Sequence, residues 1–273
     1  MKVFGLNIGN NKSPDLLITS ADREWVEENF QWLVKMFGHP RVDQFSLDEK
    51  HFPKTFDNKE IRIEGVVSDC CSHLGLDINR FSYAIREDIR DFANMPYGSE
   101  GRLVDCYIEY DEQTDRYLVL LAKNIFKHPK WLIQSICCEL TKARLMGSKV
   151  EYDTGEDTNL FLYLAATYFG YGVIIGQNLA DIGLRADPWW ETRWSYVADI
   201  PYPIMAYALA VFSRLRNDSD PAWKQRLPDE IRSEFILALQ HLQSSDNELF
   251  DPKRIDNALH ADRLFELADQ HYE

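Results

Sequence analysis

Five consecutive residues, Cys138-Glu139-Leu140-Thr141-Lys142, have types and spacing that could do chemistry. Residues four apart on an α-helix lie one turn apart on the same face. Cys138 and Lys142 therefore stand on the positions from which two side chains can reach one metal ion, with Glu139 placed to activate a bound water. A cysteine can supply a thiolate ligand. Lysine is a cation at neutral pH unless strongly desolvated, and an ammonium there would repel a divalent metal. A plainer reading stands beside this one: on an amphipathic helix, Cys138 and Leu140 are core residues, and Glu139 and Lys142 are a solvated edge.

A stable protein zinc site needs three or four ligands of compatible geometry. None of the seven histidines, His39, His51, His73, His128, His241, His260 and His271, has another at helical i,i+4 spacing. A relocated site drawing on Glu156 and Asp157 is the alternative source of ligands. The acidic stretch 153–157 lacks the ligand spacing of a calcium loop and reads as a solvated loop and helix start. No phosphate-binding G-x-x-x-x-G-K-[ST] loop, G-x-G-x-x-G turn or G-x-S-x-G elbow occurs, and no Cys/His pair stands out as a nucleophilic dyad.

The elements that must position Cys138 to Lys142 are legible from periodicity. Pro129 suits the first turn of a helix over 129–146, and Gly147 suits its cap. Before it, residues 103–110 and 117–121 read as the arms of a β-hairpin, separated by the polar stretch 111–116. Earlier still, the pattern predicts a short strand at 2–6, a helix over 21–37 capped by Ser20 and ended by Gly38, and a helix over 59–74 ended by Gly75. After the central helix comes an uncharged helix over about 157–179, with Gly170-Tyr171-Gly172 inside it. Further helices fit 204–216, 229–244 and 254–270. Without a Gly/Ser linker the chain reads as one α+β domain over 1–273, mixed α/β over 1–127 and helical over 128–273.

The stretch Trp131 to Gly147 resembles the active-site helix of a bacterial family of H-E-x-x-H zinc metallopeptidases, in which it looks like H-E-L-x-H followed by L-G. The following stretch, Asn159-Leu160-Phe161-Leu162-Tyr163 through Phe169-Gly170-Tyr171-Gly172, is similar to that family's next helix, E-x-x-T-D-L-L and then F-G-x-G. The likeness extends through Tyr207 to Phe212, and backward through Phe52-Pro53 and the helix ending in Leu74-Gly75. It implies a zincin-like fold and places the family's functional residues on this chain. The first ligand becomes Cys138, the second Lys142, the later Glu becomes Asn159 and its Asp companion Tyr163. Glu139 alone keeps its type. The resemblance thus implies a chain without a metal, a cofactor or catalytic residues, in which Glu139 is vestigial. It also suggests that Lys142 stands in for the lost metal charge beside Glu139, an i,i+3 pair worth about 0.2–0.5 kcal/mol when exposed.

Bulk properties narrow the partners. Acidic residues outnumber basic ones 44 to 30, and a net charge of -14 repels phosphate backbones and anionic membranes, so nucleic acid and membrane surfaces are not expected partners. The uncharged segment 158–180 approaches the length of a membrane span, but its tyrosines, Gln177, Asn178 and glycines argue for a buried core helix. Five cysteines without a disulfide spacing, and an opening without a long apolar core, point to a reducing, cytoplasmic setting. The aromatic run around Trp189, Trp190, Arg193 and Trp194 is the candidate partner-binding surface, because Trp and Arg are enriched at interface hot spots; packing of a loop onto the helical body would use the same residues. The expectation is an inactive metallopeptidase-like protein acting as a protein-binding or regulatory module. The alternatives are an active hydrolase using Cys138 and Glu139, and a structural subunit of a bacterial complex.

Overall fold

The computed structural model describes residues 16–57, 61–91, 102–148, 158–179 and 200–244. The strand expected at 2–6 and the helix expected at 254–270 lie outside these residues. The first helix, α1 (Ser20–Phe37), is capped by Thr19 rather than Ser20: Thr19 Oγ1 accepts the Asp22 N–H at 3.1 Å and donates to the Asp22 carboxylate at 2.7 Å. That bond serves one of the amides a first helical turn leaves unpaired. Val26, Phe30, Leu33 and Val34 recur at three- and four-residue steps and are buried. Gly38, at φ 81°, ends the helix with its N–H on the Val34 carbonyl at 2.8 Å.

The second helix, α2 (Ile63–Leu74), closes on Gly75, whose left-handed φ of 64° lets the Leu76 N–H return to the Cys71 carbonyl at 2.8 Å. Near its start, Gly65 allows the preceding loop to lie against the helix, since a Cβ there would stand 2.5 Å from the Lys54 carbonyl oxygen. Asp69 holds the same loop, accepting both the Thr55 N–H and its hydroxyl at 2.8 Å.

The strands are β1 (Phe81–Arg86), β2 (Ile89–Asp91), β3 (Arg102–Val104), β4 (Cys106–Asp111) and β5 (Arg116–Ala122). They form a three-stranded sheet of order β1-β5-β4 and a separate β2-β3 ribbon. β4 and β5 are the expected hairpin, antiparallel with Ile108 opposite Val119. Its first arm is interrupted at Asp105, so Arg102–Val104 belongs to the ribbon. In the turn, the Asp111 carboxylate accepts the Gln113 N–H at 2.9 Å and the Thr114 hydroxyl at 2.7 Å. β5 is apolar on both faces because it is central: Tyr117, Val119 and Leu121 join the helical core, while Leu120 and Ala122 pack with Ile89 and Val104 of the ribbon. Burying Val119 and Leu121 contributes about 1.5–3 kcal/mol each. β1, parallel to β5, was not expected from the sequence.

The central helix α3 (Pro129–Gly147) begins at Pro129, which has no amide to leave unpaired. Gly147 is its last residue, and Ser148 closes it with an N–H on the Leu145 carbonyl at 3.1 Å. The long uncharged helix expected next is two helices, α4 (Thr158–Tyr168) and α5 (Gly172–Leu179). Gly170 makes the break at φ 100°, where a Cβ would meet the Asp43 carbonyl oxygen at 2.8 Å. Buried Gln44 stitches the two ends, donating to the Thr167 carbonyl at 2.8 Å and accepting the Val173 N–H at 3.2 Å. Gly170 therefore serves a turn, while Gly172 allows close packing against Leu209, since a Cβ there would stand 2.8 Å from Leu209 Cδ2. Then come α6 (Tyr202–Leu215), buried along most of its length, and α7 (Asp229–Ser244). One cluster of buried side chains runs from α1 through the sheet to α7, and the architecture is α+β. Among the described residues no helix is long and apolar enough to cross a membrane.

Candidate functional site

The residues expected to carry chemistry sit in the middle of α3, where that helix packs against β4 and β5. Trp131, Ile133, Ile136, Cys137, Leu140, Thr141 and Ala143 bury one side of it, leaving Cys138, Glu139 and Lys142 half-buried along its margin. The Ala122 N–H to Asp105 carbonyl bond, at 2.9 Å, sets the phase of the β4–β5 ladder. With Cys106 opposite Leu121 and Ile108 opposite Val119, the backbone groups of Cys106 and Ile108 point away from β5. The carboxylate of Glu139 takes that outward Ile108 N–H, accepting at Oε2 over 3.0 Å. Lys142 Nζ, one turn on, lies 4.7 Å from the centroid of the Tyr107 ring, which belongs to the opposite face of the sheet. Both charged residues thus reach from α3 onto adjacent residues of the edge strand, whereas the sequence suggested that each was chiefly the other's partner.

Four of the thiols have their pKa raised. Burial, with Glu139 and Cys70 nearby, pushes the Cys138 thiol well above its ordinary range. Burial also raises Cys106 on β4, reinforced by Glu139 and Cys138. Cys137 is raised by burial and by Cys70, whose sulfur lies 3.5 Å away, and burial pushes Cys71 up to about 12. Nucleophilic attack requires the thiolate, which these surroundings disfavour.

Tyr163 is buried in the core on α4, its carbonyl accepting the Thr167 hydroxyl at 2.8 Å. Asn159 lies in the first turn of α4, and its side chain is outside the described residues. Among the described residues, no group of three or more His, Cys, Asp or Glu side chains is arranged to hold a metal ion. Glu156, Asp157 and the aromatic run with Trp189, Trp190, Arg193 and Trp194 lie outside the described residues.

The structure adds a residue that pattern reading missed. His73, one turn beyond Cys70 on α2, stacks on Phe45 at 3.9 Å and 14°. Its Nε2 lies 2.8 Å from the His51 carbonyl, which only accepts, so Nε2 carries the proton and Nδ1 accepts from the Tyr171 hydroxyl at 3.3 Å. Burial lowers the His73 pKa, keeping the ring neutral. The Cys70/His73 spacing was the available signal, yet the Phe45 stack and the Tyr171 bond come from residues far apart in the chain. With its lone pair bound and its ring enclosed, His73 acts as a packing and hydrogen-bonding post between α2 and the α4–α5 turn. Compared with protein-family models, curated proteins and solved structures, the chain finds no match.

Proposed function

We propose that this chain is a catalytically inactive, zincin-like relative of bacterial zinc metallopeptidases, serving as a protein-binding or regulatory module. The observation that carries the reading is the bond from Glu139 to the Ile108 N–H. A general base must hold its carboxylate within reach of the water it deprotonates. Here Glu139, the residue of the expected set that keeps its type, directs one carboxylate oxygen to the backbone of β4. A further feature supports the same reading: Lys142, which the resemblance aligns with the second ligand, rests its ammonium on the Tyr107 ring.

The test is metal analysis of the purified protein together with peptide hydrolysis. The expected outcome is substoichiometric zinc and no hydrolysis above background. Stoichiometric zinc that disappears along with hydrolytic activity in Cys138→Ala would overturn the proposal in favour of a working hydrolase. The binding role is tested by co-purification from the native host, with Trp189, Trp190, Arg193 and Trp194 intact or replaced by alanine. A changed set of partners is expected; an unchanged set would remove this aromatic run as the binding surface.

A further inference from the structure

The two edges of the three-stranded sheet are finished differently. At β4, Glu139 takes the outward Ile108 N–H, and Glu109 and Asp111 add charge along the strand. Charges and blocked amides of this kind keep an edge from accepting another strand. At the opposite edge, Phe81-Ser82-Tyr83-Ala84-Ile85-Arg86 contains no acid and no proline, and among the described residues β1 pairs with β5 alone. Its face toward α2, where the Tyr83 hydroxyl donates to Glu64, leaves Tyr83 40% and Ile85 49% exposed.

We propose that β1 is the seam of a homodimer, in which β1 of a second copy adds antiparallel to it and joins the two sheets into one. The strand is complementary to itself about Ala84. With the two-fold axis passing between the two Ala84 residues, Tyr83 of each copy stands opposite Ile85 of the other. Symmetry thereby repeats an aromatic-on-β-branched cross-strand pair, and the seam is isologous. On the other face Ser82 meets Arg86. The small Ala84 side chains leave room at the axis. A parallel arrangement about a two-fold axis would instead set Arg86 on Arg86. This self-complementarity favours a second copy over a foreign strand as the occupant. The seam lies at the opposite edge of the sheet from Glu139, so it stands or falls independently of the inactive-peptidase reading.

Sedimentation velocity of the full chain over rising concentration tests the seam. A concentration-dependent dimer is expected, weakened about tenfold or more by Ile85→Lys because each copy contributes the lost pair. Tyr83→Lys, which leaves Glu64 a cationic partner, should weaken the dimer similarly, whereas Ile85→Val should retain it; circular dichroism checks that each variant is folded. A chain that remains monomeric throughout would overturn the proposal. A dimer unaffected by both lysine variants would also overturn it, by placing the contact elsewhere.

Discussion

Replacing Glu139 tests the geometry at its most specific point. The carboxylate accepts from the Ile108 N–H at 3.0 Å in a half-buried setting at the junction of α3 and β4. Hydrogen bonds to charged groups contribute about 1.5–3 kcal/mol, and neutral ones about 0.5–1.5 kcal/mol. Glu139→Ala should therefore cost about 1.5 kcal/mol, at the lower end because water can partly serve the freed amide. Glu139→Gln, which keeps an acceptor of the same length, should cost less than about 1 kcal/mol. Stability by chemical denaturation gives the first readout and amide hydrogen exchange the second. A loss of about 1.4 kcal/mol corresponds to roughly tenfold, so the Ile108 amide should exchange about tenfold faster in the alanine variant. The buried Val119 amide on central β5 reports the global loss, so any acceleration of Ile108 beyond it measures local release of β4. If Ile108 exchanges at the same rate in the wild type and Glu139→Ala, the carboxylate does not hold β4, and the reasoning built on that bond is refuted.

Three further outcomes follow from named contacts. In a double-mutant cycle, Lys142→Met and Tyr107→Leu should couple by about 0.5–1 kcal/mol, and a zero coupling would remove the cation–ring contact. Gly170→Ala should cost about 2 kcal/mol or more in thermal or denaturant unfolding, because φ of 100° strains an L-residue and its Cβ meets the Asp43 carbonyl; an unchanged midpoint would count against the turn. Stability should also fall on mild acidification. His73 is lowered chiefly by burial, and His241 by burial and by Arg23, whose guanidinium lies 2.9 Å from Nε2. Because the unfolded chain binds these protons more tightly, the stabilisation is fully present above roughly pH 6.5 and is lost as pH falls toward the lowered native values. Denaturation at roughly pH 7.5 and 5.5 should show that slope, reduced in His73→Gln, and a flat profile would contradict it.

What the sequence determined by itself were the features whose cause is local. The recurring apolar side of α1, Pro129 at the start of α3, Gly75 after α2, and α7 beginning just beyond Pro228 each follow from a helix's own periodicity and termini. The β4–β5 hairpin was legible for the same reason, since its arms and polar turn are contiguous. That positions 138 and 142 of α3, one turn apart, carry a thiol and an ammonium rather than two imidazoles was likewise plain from the residue types.

Only tertiary structure decided the rest, because it depends on residues that are distant in the chain. β1 is six residues of mixed polarity and becomes a strand by pairing with β5, which lies 36 positions further on at Phe81↔Tyr117. Gly170 and Gly172 in an apolar run are equally compatible with a tightly packed helix and with a break; Asp43, Gln44 and Phe45 pressing on that point chose the break. Likewise, a carboxylate one turn from a lysine looks like an i,i+3 pair on a helical wheel. The phase of the β4 ladder presents Ile108 to Glu139 and Tyr107 to Lys142, and that phase is set by hydrogen bonds to β5 rather than by any pattern within α3.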